Sequence, residues 1–333
     1  MQVDYQVPGQ WWEFNELLTQ SLQLPSDKVQ VRAFKGLHAA LCEVTQSLSQ
    51  QFPHKKKAYF FKGMDPSLEG AMMALSRSGV QVEALELSSL DSGSWREALS
   101  TDSLCAVYSA DDPLLGRRYS VSELESELLQ KKIFSLRVSH ALHHFEALPQ
   151  ELARPQLRVL SMGSDLALAF THSRLRFVTP IAEGQSWPQQ INSHLAEQLG
   201  RLGQDKESMD LVKAFEGSGP AGAESLWGPE NHQRIYDRAL IYWPDMDGGA
   251  VIETLAGLLS HALQPPGQDF LLESSSLSRW GGLRSMDWLK AQGLGPEVIR
   301  GLVILDQSLL TRPNILQILE QTRQHVVKLQ NGE

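Results

Sequence analysis

Long apolar runs are missing from this chain: no uninterrupted stretch approaches the ~20 residues of a bilayer-spanning helix, so insertion into a membrane is not expected. Cysteine is nearly missing too. Only Cys42 and Cys105 occur in 333 residues, inside apolar stretches that read as a helix and a strand. A disulfide framework is therefore excluded, and two buried free thiols in a reducing cytoplasm are expected. The opening Met1-Gln2-Val3-Asp4-Tyr5 has no basic region followed by an apolar core, so secretion is not expected. An excess of basic residues is lacking as well. A formal charge of -9 and a pI near 5.6 set the overall field against nucleic acid and anionic lipid. The run Lys55-Lys56-Lys57 is short enough to be a solvated turn. Neither a Gly-x-Ser-x-Gly elbow nor a glycine-rich phosphate loop ending in Lys-Ser/Thr occurs, which leaves a serine hydrolase poorly supported.

What is present is an ordinary globular composition, 42% apolar and 21% charged, sufficient for a large core and a smaller second domain. From about residue 30, short apolar runs alternate with helical periodicity. Ala39, Leu41, Val44 and Leu48 suit a helix, Ala58 to Phe61 a buried strand, and Ala71 to Leu75 a helix ending at Gly79. Val80 to Leu87, Leu104 to Tyr108, Ile133 to Val138, Leu157 to Ser161 and Leu175 to Val178 read as strands, with a short helix at Trp95 to Leu99. Ser120 and Glu123 have the spacing of a capping box opening a helix to about Lys131. This alternation predicts an α/β fold, a mainly parallel sheet flanked by helices. Beyond Pro180 the pattern predicts a long helix over Pro188 to Leu202 and a linker over Gly217 to Ala223. Strands at Ala239 to Trp243, near Phe270 and at Leu302 to Leu305, with helices over Ala250 to Leu263 and after Pro313, make a smaller α+β domain. The expected organisation is an arm over 1–29, a large domain over 30–215 and a small one over 230–333.

Several segments fall in one meaningful order. Asp111-Asp112-Pro113-Leu114-Leu115-Gly116, between a strand and a helix, resembles the Asn-Pro segment of fold-type I pyridoxal-phosphate enzymes. Its Pro-Leu-Leu is similar to the cystathionine synthase and lyase branch, and its Gly116 and Tyr119-Ser120 continuation to class I and II aminotransferases. Phe34-Lys35-Gly36-Leu37 resembles the glycine-containing start of the helix whose amides hold the cofactor phosphate. Val138-Ser139 stands where the family has an aspartate against the pyridine nitrogen. Met162-Gly163-Ser164-Asp165 stands where it has the Schiff-base lysine, and Arg174 resembles its phosphate-binding arginine. Ser276 to Ser285 is similar to the Ser-Leu-Gly-Gly stretch of the cystathionine branch, and Val298 to Asp306 to its closing strand. The resemblance covers residues 30 to 330 and implies an aminotransferase-like fold that pairs as a dimer across its sites.

Three positions depart from that pattern together. Ser164 and Asp165 cannot form a Schiff base, Ser139 cannot supply charge to the pyridine nitrogen, and Asp112 would repel the ring phenolate instead of donating to it. None of the twelve lysines follows the strand ending at Ser161, and Lys35 reads as exposed. The expectation is a vestigial cleft, bounded by Gly36, Asp112, Ser139, Ser164, Asp165 and Arg174, without catalytic residues or bound cofactor. Asp112 and Asp165 make it unwelcoming to an anionic phosphate, and Arg174 offsets only part of that. The function expected is a non-catalytic relative acting as a structural or regulatory partner, in a homodimer or with another protein. The alternative is an enzyme with noncovalent cofactor or different chemistry in the same cleft.

Two other constellations compete. His140, His143 and His144 with Glu146 have partial metal-ligand spacing but no third identifiable ligand. Asp245-Met246-Asp247-Gly248-Gly249 resembles the start of a calcium loop, but no acidic residue follows at the required distance, so it reads as a capped turn. No metal is expected. Trp11 and Trp12 are candidate dimer contacts.

Overall fold

The computed structural model describes residues 29–112, 115–140, 156–161, 167–172, 174–177, 205–218, 222–226, 238–262, 272–274, 289–290, 292–312 and 314–332. These fall into two compact units, the first within 1–113 and 119–202, the second within 114–118 and 203–333. Helix 205–218 thus belongs with the second unit. The expected long helix at Pro188 to Leu202, Trp11 and Trp12 and the Ser276 to Ser285 segment lie outside the described residues, while the strand expected near Phe270 is found at Leu272–Ser274.

The first unit is built on seven strands: β1 (Val29–Phe34), β2 (Lys57–Lys62), β3 (Gln81–Glu86), β4 (Ser103–Ser109), β5 (Phe134–Ser139), β6 (Gln156–Ser161) and β7 (Ala167–His172). Their order across the sheet is β1-β7-β6-β5-β4-β2-β3. Strands β2 to β6 are parallel, while β7 runs antiparallel to both β6 and β1. The mainly parallel, helix-flanked sheet is therefore present. Strand β4 is buried at every position, as a strand covered on both faces must be, which is why it reads as an unbroken apolar run and not as an alternating one.

Helix α1 (Gly36–Gln51) turns Leu37, Leu41, Val44 and Leu48 into the core at helical spacing. Helix α2 (Pro66–Ser76) begins with Asp65 as N-cap, its carboxylate accepting from the Ser67 amide at 2.6 Å, and with proline in the first turn where no amide hydrogen is needed. Two short helices follow, α3 (Ser88–Ser92) and α4 (Trp95–Ala98), then α5 (Ser122–Gln130).

Two local expectations are corrected. The N-cap of α5 is Val121, without any side-chain cap; the helix starts at Ser122, so Ser120 stands one residue before the cap position and Glu123 falls too early for a capping box. Leu175 to Phe177 is irregular, and the strand is β7 instead, with Ala167 to Phe170 all buried because β7 is an internal strand. Leu175 enters the core from a turn.

In the second unit, β8 (Glu224–Ser225), β9 (Arg238–Tyr242), β10 (Leu272–Ser274) and β11 (Leu302–Asp306) form an antiparallel sheet ordered β10-β11-β9-β8. It is accompanied by α6 (Asp205–Ser218), α7 (Gly248–Ala262), α8 (Pro296–Gly301), α9 (Gln307–Leu310) and α10 (Ile315–Asn331). Period-2 alternation divides its core: Ala239, Ile241, Val303 and Leu305 join Val251, Leu255, Leu319 and Val326, whereas Leu240, Leu302 and Ile304 join Leu289 and Ile299. The expected linker begins inside a helix, since α6 continues through Gly217 and Ser218. Asp247 caps α7, accepting from the Gly249 and Ala250 amides at 2.8 and 3.1 Å, as a capped turn would. Among the described residues no helix is long and apolar enough to cross a membrane.

Candidate functional site

Open parallel sheets present their ligand crevices beyond the carboxyl ends of the strands. Here the chain leaves three adjacent strands, β2, β4 and β5, and within three residues each has delivered one ionisable side chain: Asp65, Asp111 and His140. His140 is the centre. Its Nε2 lies 2.7 Å from Asp65 Oδ2 and its Nδ1 3.0 Å from Asp111 Oδ1. The His140 backbone amide donates to both Asp111 oxygens, at 2.9 and 3.2 Å. Both carboxylates are buried, and the imidazole side chain is 10% exposed.

Burial alone would push the imidazole down, but the hydrogen bonds and charges of Asp111 and Asp65 outweigh it and carry its pKa up to about 10. Both ring nitrogens are therefore protonated near neutrality, and each donates to a carboxylate. One imidazolium stands between two carboxylates.

Beside this group Asp112, fully buried, accepts from the Tyr119 hydroxyl at 3.2 Å. Ser109 Oγ lies 3.5 Å from His140 Nδ1, so serine, histidine and aspartate meet here. They do not form a nucleophilic triad: Ser109 is fully buried, its hydroxyl donates to the Asp111 carbonyl, and Asp111 holds the histidine nitrogen that would take the proton.

Of the residues selected from sequence, Asp112 and Ser139 lie together at this carboxyl edge, next to His140. Gly36 follows β1, whose direction brings it to the same edge, but β1 is separated from β5 by β7 and β6, about 14 Å at ordinary strand spacing. The helix start that adjoins Asp111 and His140 is that of α2, not α1. Arg174 follows β7, which runs the other way, so it sits at the opposite edge of the sheet, about 16 Å along the strands from the Ser161 end. There it joins Gln51, Phe52, Phe134, Leu157, His172 and Leu175 around a small pocket. The antiparallel reversal, invisible in residue spacing, separates Arg174 from Asp112 and Ser139. Ser164 and Asp165, and His143, His144 and Glu146, lie outside the described residues. Among the described residues no group of three metal-ligating side chains is arranged around a common point.

Sequence reasoning passed over Asp65 and weighed His140 only as a metal ligand. The Asp65-Pro66 pair, a cap followed by a first-turn proline, was the available signal that a helix starts at the carboxyl edge.

The sheet order and the helices on its faces make an aminotransferase-like α/β fold. No family model and no curated protein sequence matches the chain. Solved structures share its fold: a NifS-like protein at 13% identity and TM-score 0.71, covering 96% of this chain and 87% of that one. A cysteine desulfurase from Escherichia coli follows at 11% identity and TM-score 0.67, and an apo cysteine desulfurase from Thermococcus onnurineus NA1 at 13% and 0.66. Each covers 96% of this chain and 84% of its own length.

The groups at the carboxyl edge do not fit pyridoxal phosphate. The buried Asp112 offers an acceptor where the resemblance implies a donor. The imidazolium of His140 has both its hydrogens committed to carboxylates. A ring phenolate there would meet like charge.

Proposed function

We propose that this protein is a non-catalytic relative of the fold-type I pyridoxal-phosphate enzymes, acting as a structural or regulatory partner in a homodimer or with another protein in the cytoplasm. The carrying observation is the His140 imidazolium held between Asp65 and Asp111, beside Ser139 and Asp112. Support also comes from the sequence, where Ser164 and Asp165 follow β6 and neither can form an imine. One such change could be compensated by unusual chemistry; a missing amine, pyridine-nitrogen partner and ring-oxygen donor together remove the covalent link and both handles on the cofactor ring. A domain organisation of arm, large domain and small domain accompanies this reading, with Trp11 and Trp12 of the arm as the dimer contact.

The test is the visible spectrum of the purified protein after incubation with pyridoxal phosphate, followed by borohydride reduction and peptide mapping. No aldimine band and no modified lysine are expected. A reducible adduct on one lysine, formed at stoichiometric cofactor, would overturn the reading. Sedimentation at micromolar concentration tests the assembly: a dimer is expected, weakened by Trp11→Ala with Trp12→Ala while helical signal is kept. A monomer would remove the dimer.

A further inference from the structure

At the amino edge of the first unit's sheet, the starts of β5 and β6, the end of β7 and the last turn of α1 surround the pocket that holds Arg174. Its floor is apolar. Phe134 opens β5, Leu157 stands second in β6, and Leu175 enters from the turn after β7. Phe52 follows α1, its ring tilted against that of Phe134 with 4.8 Å between centroids. Counted to its open mouth the pocket measures about 330 Å3, the small end of the range for ligand sites. Part of that space is open to solvent, so the enclosed part suits a short chain and not a ring-sized cofactor.

The rim is cationic. Arg174 is exposed, and no carboxylate among the described residues pairs with its guanidinium. Its backbone is fixed instead: the Arg174 amide donates at 3.1 Å to Nδ1 of His172, which lines the same pocket. The Gln51 amide is spent. Its Nε2 donates to the Ser47 and Arg176 carbonyls at 3.1 and 2.6 Å, and its Oε1 accepts from the Arg176 amide at 3.2 Å. The Leu48 carbonyl accepts from the Phe52 amide at 2.9 Å, so two of the carbonyls that would repel an anion from the end of α1 are already bonded.

We propose that this pocket binds a short-chain monocarboxylate, its carboxylate paired with the Arg174 guanidinium and its alkyl chain on Phe52, Phe134, Leu157 and Leu175. A guanidinium matches a carboxylate through two parallel N–H donors, and the apolar floor rewards a chain that an inorganic anion lacks. The site goes beyond the non-catalytic reading and does not depend on it, because Arg174 and His140 stand at opposite edges of the sheet.

The experiment titrates the full chain with acetate, propionate and butyrate at constant ionic strength, and follows the Arg174 guanidinium and the Phe52 and Phe134 rings by NMR. Saturable shifts at all three side chains are expected, with affinity rising about threefold for each added methylene. Arg174→Gln should weaken butyrate binding at least about tenfold. Arg176→Gln removes a charge from the same exposed turn but not from the pocket, and should bind butyrate as wild type does. Equal losses from the two variants, or inorganic phosphate binding at Arg174 as tightly as butyrate, would overturn the proposal and leave only a general attraction of anions to a basic turn. Absence of a saturable shift with butyrate would overturn it too. Should Arg174→Gln fail to fold, the wild-type series decides: affinity indifferent to chain length refutes the site.

Discussion

Arg137 and Arg158 stand in register on adjacent strands, and both guanidiniums reach the same carboxylate: Arg137 Nη1 is 3.4 Å from Glu125 Oε1, and Arg158 Nη2 is 3.3 Å from Oε2. Like charges side by side in a sheet repel, so Glu125, projecting from α5, is what makes the pair tolerable. The Tyr108 hydroxyl also donates to Glu125, at 3.0 Å, and burial followed by that carboxylate pushes the phenol well above its usual range. Arg158 is only 5% exposed, so it cannot turn to water if its partner is removed.

Glu125→Ala is accordingly expected to cost about 2 to 3 kcal/mol, less than for a fully buried ion pair because Glu125 and Arg137 are partly exposed while Arg158 is not. Urea unfolding followed by circular dichroism measures it. Glu123→Ala, which removes the partner of Arg96 on the exposed surface, is the control and should leave the midpoint nearly unchanged. Equal effects from the two variants would refute the assignment.

Gly301 is a second pressure point. A Cβ there would lie 2.2 Å from the Trp243 carbonyl oxygen, and one on Gly248 would lie 2.5 Å from the Leu302 carbonyl. Both obstacles are backbone, which cannot swing aside. Gly301→Ala should therefore destabilise the second unit by about 3 kcal/mol or prevent its folding. Gly217→Ala, near the end of α6 with nothing within 4 Å of the new carbon, should be neutral or add about 0.5 kcal/mol. Thermal melts of the two variants against wild type give the comparison.

The parallel strands were legible because internal strands such as β4 read as uninterrupted apolar runs, and α1 and α2 because a buried stripe recurs every three to four residues. Direction was not. Ala167 to Phe170 contains nothing that distinguishes an antiparallel β7 from a parallel one, yet that reversal decides that Arg174 and Asp112 are at opposite edges of the sheet. Asp65, Asp111 and His140 are far apart in sequence and share no spacing; only the rule that parallel strands end at one edge would have aligned the first polar residues after β2, β4 and β5. The Ser120 and Glu123 pair shows the converse, a local motif with the right spacing on a helix that starts one residue too late to use it.

The thiols should report the two sides of the first unit's packing. Cys105 lies inside β4, fully buried, and burial drives its pKa up to about 12, so almost no thiolate exists at neutrality. Cys42 is partly exposed on α1, 3.5 Å from His38, and burial raises it too. With a disulfide reagent at pH 8 the native protein should release one slow equivalent from Cys42, and Cys105 should react only at the rate of unfolding. Fast modification of Cys105 in native protein, located by mass spectrometry, would contradict this burial.

The pH dependence of stability should carry the signature of His140. An unfolded histidine titrates near 6.5, while in the fold the carboxylates of Asp111 and Asp65, working against burial, hold the ring protonated up to about 10. The folded state thus keeps a proton that the unfolded state gives up, so between these values unfolding releases a proton and becomes easier as pH rises. The stabilisation is complete below about pH 6.5, shrinks through the window and is gone above about pH 10, a loss on the order of 5 kcal/mol. His140→Gln keeps a polar side chain but has no proton to lose, so its urea midpoint should lack this component. Burial raises the Cys42 thiol in both proteins, and its effect cancels in the difference between wild type and variant. If the two midpoints fall in parallel from about pH 6.5 to pH 10, His140 is not an imidazolium in the fold.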